Sequence, residues 1–330
     1  MPSGGLTLVT GAGGFIGRHL VAALHAHGVA VRGLVRSTTD ATAIAPFCTD
    51  VIVGDLDETD TRVRAAAGVR AVYHFAGKLF EPGSDDAVYE RLHVDATAHL
   101  FDLCTSGGPL DLFLHCSTTG VHGPTTQGPA REDDAGAPSN AYERSKARGE
   151  AVVRERAART GTPLAIARPG LVYGPGDRHL LGWYRSIRDG YYRVIGPGTN
   201  HLHPIYIDDL VQAVLLCADR ATPAGRAYHL VGARPYTMRE LSDAIGAAVG
   251  RRVPAMHLPA TLAWLAGAAF ELLPVSRRRL PLSRTRVTFL LQNREYDGAR
   301  AQAELGFTPG IALPEGLART VAWYREHGWL

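Results

Sequence analysis

The sequence predicts an α/β protein, a doubly wound parallel sheet carrying a smaller, mostly helical cap. Three observations carry that expectation. Strand-like and helix-like segments alternate from Leu6 to Val231, and such alternation gives a parallel sheet with helices on both faces, because right-handed crossovers bring each strand back alongside an earlier one. The first strand-like segment runs straight into a glycine-rich turn and a helical stretch. A chain of 330 residues also exceeds the usual size of one core, which leaves room for a second unit.

Taken in order, Leu6-Thr7-Leu8-Val9-Thr10 reads as a short buried strand. It leads into Gly11-Ala12-Gly13-Gly14-Phe15-Ile16-Gly17 and a helix reaching His27. Glycines let the backbone approach a ligand, and the free N–H groups of a helix amino terminus meet an anion, so this unit is a diphosphate cradle. The spacing Gly11-x-x-Gly14-x-x-Gly17 differs from the common G-x-G-x-x-G fingerprint, and the reading rests on the strand-turn-helix context as much as on the pattern. Further strands are expected at 30–35, 50–53, 71–75, 111–117 and 164–168, helices at 17–27, 88–105 and 140–160, and a seventh strand at 227–231. The larger domain is therefore expected to be discontinuous, residues 1–175 and 204–232. The cap, residues 176–203 and 233–330, is expected over the carboxyl ends of the strands, where open α/β sheets bind ligands. The loop from Gly123 to Asn140, with the acidic run Glu132-Asp133-Asp134, either folds over a substrate or lies solvated at the surface.

The chemistry centres on Tyr142 and Lys146, which share a helix face at positions i and i+4. A cation beside a phenol favours the phenolate and lowers a pKa that starts at about 10, which makes a general acid/base. Composition narrows the alternatives. A net charge of +3 is too small to imply a nucleic-acid partner, and 45% hydrophobic with 20% charged residues is ordinary for a soluble enzyme. The four cysteines, Cys48, Cys104, Cys116 and Cys217, have no metal-ligand spacing, so no metal is expected and reduced thiols in a cytoplasmic protein are. Met1-Pro2-Ser3-Gly4-Gly5 lacks the regions of a signal peptide. Residues 258–273 are strongly apolar, yet too short and interrupted for a transmembrane span, with Glu271 among them. They form either a substrate surface or a core helix of the cap. Arg277-Arg278-Arg279 beside them marks a membrane-surface contact or a solvated turn.

Together the motifs resemble the extended branch of the short-chain dehydrogenase/reductase superfamily, a Rossmann-fold group that includes nucleotide-sugar epimerases and dehydratases, 3β-hydroxysteroid dehydrogenases and dihydroflavonol-type reductases. The resemblance covers nearly the whole chain. Beyond the glycine turn and Tyr142-x-x-x-Lys146 it rests on Gly54-Asp55-Leu56, Val72-Tyr73-His74-Phe75-Ala76-Gly77, the run Phe113 to Gly123, Arg168-Pro169-Gly170-Leu171-Val172-Tyr173-Gly174, and His203-Pro204-Ile205-Tyr206-Ile207-Asp208-Asp209-Leu210. The resemblance implies catalytic roles for Thr118, Tyr142 and Lys146. It implies a cofactor held by Gly11, Gly14, Phe15, Ile16 and Gly17 at the diphosphate, Asp55 and Leu56 at the adenine, Ala76, Gly77 and Lys146 at the ribose, and Pro169, Gly170 and Val172 along the nicotinamide. Two positions depart from the family pattern. His93 stands where many relatives have Asn, which puts the role ascribed to that Asn in doubt, and His122 replaces a Tyr, to bond a ligand or simply to pack.

NAD-preferring relatives end the second strand with an acidic residue, whereas this chain has Val35 there and Arg36 next. A guanidinium suits a 2′-phosphate, so NADP(H) is favoured, with NAD(H) as the alternative. Where sugar-nucleotide relatives place diphosphate-reading Arg residues, this chain has Leu202, and near the second register Arg286-Val287-Thr288-Phe289 without the Gly-Asp that accompanies it. The expectation is an oxidoreductase interconverting a ketone and a secondary alcohol on a largely apolar small molecule. A nucleotide-sugar epimerase or ketoreductase and a non-catalytic dinucleotide-sensing regulator are the alternatives. A homodimer through helices 88–105 and 140–160 is expected by analogy with relatives.

Overall fold

A computed structural model describes residues 4–81, 83–222, 224–271 and 283–330. The strands are β1 (Leu6–Thr10), β2 (Val31–Val35), β3 (Asp50–Val53), β4 (Val69–His74), β5 (Leu112–Cys116), β6 (Leu164–Pro169), β7 (Leu171–Tyr173), β8 (His201–Leu202), β9 (Pro204–Tyr206), β10 (Arg226–Leu230) and β11 (Tyr236–Thr237). The helices are α1 (Phe15–Ala26), α2 (Thr38–Ile44), α3 (Thr59–Ala66), α4 (Asp86–Glu90), α5 (Ala96–Ser106), α6 (Ala141–Thr160), α7 (Leu181–Asp189), α8 (Ile207–Asp219), α9 (Met238–Val249), α10 (Ala260–Glu271), α11 (Arg284–Leu290), α12 (Ala299–Leu305) and α13 (Leu313–Glu326).

Seven strands make one sheet in the order β10-β6-β5-β4-β1-β2-β3, and every pairing in it is parallel. The strand order reverses between β1 and β4, so a crevice opens at their carboxyl ends. Neighbouring residues of each strand serve opposite faces, as the two-residue period of a strand requires. Val9, Leu114 and Ala165 join one apolar cluster, while Leu8, Phe113 and Ile166 join the other. Helices cover both clusters, which is why these strands read as continuous apolar runs rather than alternating ones.

The helix expected at 88–105 holds a feature the sequence does not announce. It runs from α4 into α5 through a π-helical turn at Arg91–Asp95, which turns His93 and Val94 inward. Single π turns of this kind often mark functional sites.

The loop 123–140 is laced to the carboxyl-terminal region rather than merely solvated. Thr125 N–H donates to Asn293 O at 2.8 Å, Ala130 N–H to Glu295 O at 2.9 Å, and Asp297 N–H to Ala130 O at 2.8 Å. Glu132 is buried and accepts the His229 N–H at 3.0 Å. Asp209 of α8 makes a second tie, its two carboxylate oxygens accepting Gly310 and Ile311 N–H at 3.0 Å each.

In α10 only Ala263 and Gly267 are buried, whereas Leu262, Trp264 and Leu265 are exposed. Residues 260–271 are therefore not a core helix packed on all sides. Residues 272 and 273 of the apolar run, and Arg277-Arg278-Arg279, lie outside the described residues.

A buried ion pair joins α6 to the sheet. Arg168 donates to Glu150 through Nε at 2.8 Å and Nη2 at 2.7 Å. Burial raises the Glu150 pKa, but the hydrogen bonds and charge of Arg168 outweigh it and leave the carboxyl below its ordinary 4.5. A depressed pKa contributes stability that is complete above the unfolded value and is lost as pH falls through the folded one. Glu150→Ala should cost about 3–5 kcal/mol at neutral pH, the scale for leaving one buried charge unpaired. Denaturant melts should show that gap at neutral pH and show it narrowing as the parent protein is acidified below about pH 4.

Candidate active site

The glycine spacing has a steric cause at each end of the turn. Gly11 has φ +68°, and a Cβ there would lie 2.8 Å from Ala76 N, so the turn presses on the end of β4. A Cβ on Gly17 would fall 2.1 Å from Gly11 O, so only glycine lets the first turn of α1 close on the strand. Gly14 is exposed at the amino end of α1, and Phe15 and Ile16 are half-buried beside it. The cradle therefore fits a diphosphate approaching backbone with no side chain in the way.

The remaining sequence-derived residues collect at the same edge of the sheet. Asp55 closes the end of β3, its Oδ1 accepting Asp57 N–H at 3.0 Å, with Leu56 buried behind it. Ala76 N–H donates to Thr10 Oγ1 at 3.1 Å, tying the end of β4 to β1. A Cβ on Gly77 would come 3.3 Å from Lys146 Nζ, so the ammonium lies directly against that turn. Gly170 packs against His203 O, which a Cβ would approach to 2.4 Å. Pro169 and Gly170 thus stand where β6 passes into β7, with Val172 half-buried just beyond. Arg36 follows β2, exposed and without a hydrogen bond or ion pair among the described residues.

Thr118, Tyr142 and Lys146 come together. The Thr118 hydroxyl lies close enough to the Tyr142 phenol to favour its ionised form. Thr118 Oγ1 also accepts Gly120 N–H at 3.1 Å, which leaves its own hydrogen free to donate. Lys146 is buried and donates to Cys116 O at 2.8 Å. Its pKa is lowered by burial, against the opposing pull of Cys116 and Glu150.

The expected lowering of the Tyr142 pKa is overturned. Burial raises it, the neighbouring Cys116 adds to the rise, and the Thr118 hydroxyl offsets only part. The main cause is desolvation of the phenol, and the Lys146 ammonium gives its hydrogen bond to the β5 carbonyl. At neutral pH the phenol is therefore protonated, the form that gives a proton away.

His93 answers the question raised by the missing Asn. Lys78 N–H can only donate, and it meets His93 Nε2 at 3.0 Å, so the ring hydrogen sits on Nδ1. Nδ1 lies 2.8 Å from Ser145 Oγ, and the Ser145 hydroxyl donates to Tyr142 O at 2.8 Å. Burial, then the charge of Lys146, pushes the imidazole pKa down to about 2, so it stays neutral. The His93 ring meets the Tyr142 ring edge-on, centroids 5.7 Å apart. An imidazole thus bonds the Lys78 backbone and the Ser145 hydroxyl from this position. His122, by contrast, packs inside the fold, 2.9 Å from His229 Nε2 and accepting from Arg168 Nη1 at 3.1 Å.

The sequence missed Arg294. It is buried and pairs with Glu143 at 2.8 Å, the residue next to Tyr142, and its guanidinium lies 4.4 Å from the Phe289 ring centroid. Nothing in Gln292-Asn293-Arg294-Glu295 distinguishes this Arg from a surface residue. An open cleft of about 360 Å³ that includes Asn140 at the amino end of α6 is lined by Phe80, Phe289 and Trp264 together with the polar Gln292 and the charged Glu271 and Arg284. Phe80 and Phe289 stack at 6.0 Å. Among the described residues no cluster of metal-ligating side chains occurs.

A family model described as the NAD dependent epimerase/dehydratase family matches residues 7–230. The chain belongs to that family. It is 31% identical to the 2-alkyl-3-oxoalkanoate reductase of Stenotrophomonas maltophilia (strain K279a), over 96% of this chain and 98% of the relative. It is 27% identical to 3beta-hydroxysteroid-dehydrogenase/decarboxylase isoform 1 of Arabidopsis thaliana, over 95% and 78%. The crystal structure of a dTDP-glucose 4,6-dehydratase double mutant from Streptomyces venezuelae, with NAD bound, superposes with a TM-score of 0.78 at 26% identity, covering 98% of each chain. This epimerase/dehydratase-family chain is accordingly an enzyme of the extended short-chain dehydrogenase/reductase type, with that group's Rossmann-like fold.

Tyr142→Phe should slow turnover by roughly 10²–10⁴-fold while leaving dinucleotide binding nearly intact, the scale of a lost positioned acid. Steady-state kinetics beside a binding titration check both halves. His93→Asn, which can still accept from Lys78 and donate to Ser145, should stay within about tenfold of the parent, whereas His93→Phe should lose clearly more turnover. Equal activity of the two variants would remove the hydrogen-bond chain from the account.

Proposed function

We propose that this enzyme interconverts a ketone and a secondary alcohol on a largely apolar small molecule, with NADP(H) as its cofactor. The observation that carries the proposal is the meeting of the protonated Tyr142 phenol, the Thr118 hydroxyl and buried Lys146 at the carboxyl end of the sheet. A bound nicotinamide dinucleotide supplies or accepts the hydride. Gly11, Gly14, Phe15, Ile16 and Gly17 would hold its diphosphate, Asp55 and Leu56 its adenine, and Ala76, Gly77 and Lys146 its ribose. Pro169, Gly170 and Val172 would flank the nicotinamide, and Arg36 would meet the 2′-phosphate. In reduction Tyr142 gives its phenolic proton to the carbonyl oxygen while Thr118 donates a hydrogen bond to the same oxygen; oxidation reverses both steps. Lys146 holds the β5 end and presents its charge to the ribose side.

An apolar substrate is supported by Phe80, Phe289 and Trp264 in the lining of the cleft, and by Leu202, buried where sugar-nucleotide relatives read a diphosphate. The alternative, a nucleotide-sugar epimerase or ketoreductase, draws on the polar and charged residues in the lining of the same cleft, Asn140, Gln292 and Arg284 among them. We divide the chain into a dinucleotide-binding domain, 1–175 with 204–232, and a substrate-binding domain, 176–203 with 233–330. We place the protein in the cytoplasm as a homodimer through α5 and α6. Free cysteines support the first assignment. Among the described residues no helix is long and apolar enough to cross a membrane.

Arg36→Ala should weaken NADPH about ten- to a hundredfold and leave NADH almost unchanged, the scale of one charged hydrogen bond. Calorimetry with hydrophobic ketones or alcohols, against UDP and dTDP, tests the substrate class. Apolar ligands should bind with cofactor present, and tight nucleoside-diphosphate binding without them would move the assignment to the sugar-nucleotide alternative.

A further inference from the structure

A second charged side chain stands beside the end of β2. Ser37 accepts Asp40 N–H at 3.1 Å and donates its hydroxyl to Asp40 Oδ2 at 2.8 Å. Held at both points, the carboxylate turns onto the glycine turn. A Cβ on Gly13 would lie 2.6 Å from Asp40 Cβ, 2.8 Å from Cγ and 3.2 Å from Oδ1. Asp40 is half-buried, and no donor reaches Oδ1 among the described residues. Arg18 flanks the same turn, its Nη2 donating to Gly13 O at 2.8 Å, and unpartnered Arg36 lies four residues before Asp40. Val35, where an acidic reader would stand in an NAD-preferring relative, is 3% exposed inside the sheet, and its side chain can accept no hydrogen bond.

A fixed carboxylate oxygen with free lone pairs accepts hydrogen bonds from vicinal hydroxyls. The same oxygen meets a phosphate monoester as a like charge. We infer that Asp40 is a specificity-determining residue for the cofactor, accepting the adenosine ribose hydroxyls of NAD(H) and opposing the 2′-phosphate that Arg36 attracts. The chain then binds both dinucleotides, and the balance between Arg36 and Asp40 sets their ratio. This inference rests on the proposed NADP(H) reading, and it moves the acidic reader from the end of β2 to the first turn of α2.

The test is calorimetric titration of the full chain with ADP-ribose and with 2′-phospho-ADP-ribose, which carry the adenosine ends of the two cofactors and no reactive ring. In Asp40→Asn the side-chain oxygen still accepts from Ser37 while a neutral amide faces the turn. That variant should bind 2′-phospho-ADP-ribose about tenfold more tightly and ADP-ribose about tenfold less tightly, the scale of one charged interaction. Affinities that stay unchanged, or that move together by the same factor, overturn the assignment. Asp40→Ser is the second variant, with the same signs expected should the Asn protein prove unstable. Arg36→Ala separates the two readings. If it leaves 2′-phospho-ADP-ribose binding intact, the NADP(H) proposal fails, while the ADP-ribose loss in Asp40→Asn still decides the role of Asp40.

Discussion

Glu150 lies one helical turn beyond Lys146 on α6, and both prongs of Arg168, from the adjacent strand β6, hold its carboxylate. Two opposite charges removed from water at that depth are costly unless every hydrogen bond is made. The pair therefore admits few rotations of α6 against the sheet. In the one it fixes, Lys146 points at Cys116 O and Tyr142 at Thr118. Arg168 also donates to Glu132 O at 2.8 Å, so the same guanidinium anchors the loop that leads from β5 to α6. The placement of Thr118, Tyr142 and Lys146 thus depends on an ion pair made by other residues.

Lys146 is also the charge around which its neighbours titrate. His74, His93 and His115 are all buried, and in each case burial and then the Lys146 charge lower the imidazole pKa. Three neutral imidazoles beside one ammonium cost less than any second cation there would. The arrangement keeps the positive charge at a single atom, facing the turn that carries Gly77.

Much of this was legible in the sequence because it is local. A strand, a glycine turn and a helix are written in consecutive residues, and the strand positions agree within one or two residues at each end. The close approach at Gly17 could be read from its spacing to Gly11. The π turn at Arg91–Asp95 could not, since its cause is the fit of His93 between Lys78 and Ser145, on other elements. The hydrogen bond from Lys146 to the β5 carbonyl is likewise tertiary. A phenol and an ammonium on one helix face suggest a direct pair, yet the ammonium bonds a buried carbonyl, and burial of the phenol, which the spacing does not show, raises the Tyr142 pKa. Arg294 and Glu143 lie too far apart in sequence for any pattern to join them. Residues 260–271 show the limit of composition, since an apolar run alone does not say which way Leu262 and Leu265 face.

The lacing of loop 123–140 to residues 293–297 bears on the order in which the chain can assemble. Thr125 and Ala130 find their partners only after the carboxyl-terminal region exists, and Glu132 gains its Arg300 contact at 3.5 Å at the same stage. During synthesis the parallel sheet through β6 can form from residues already made, while the segment joining Thr118 to Tyr142 still lacks its clasp. Closing contacts across so long a stretch of chain is slow, because loop entropy is lost before any contact rewards it. The loop between Thr118 and Tyr142 is therefore among the last parts of the molecule to be fastened, although it lies in the first half of the sequence.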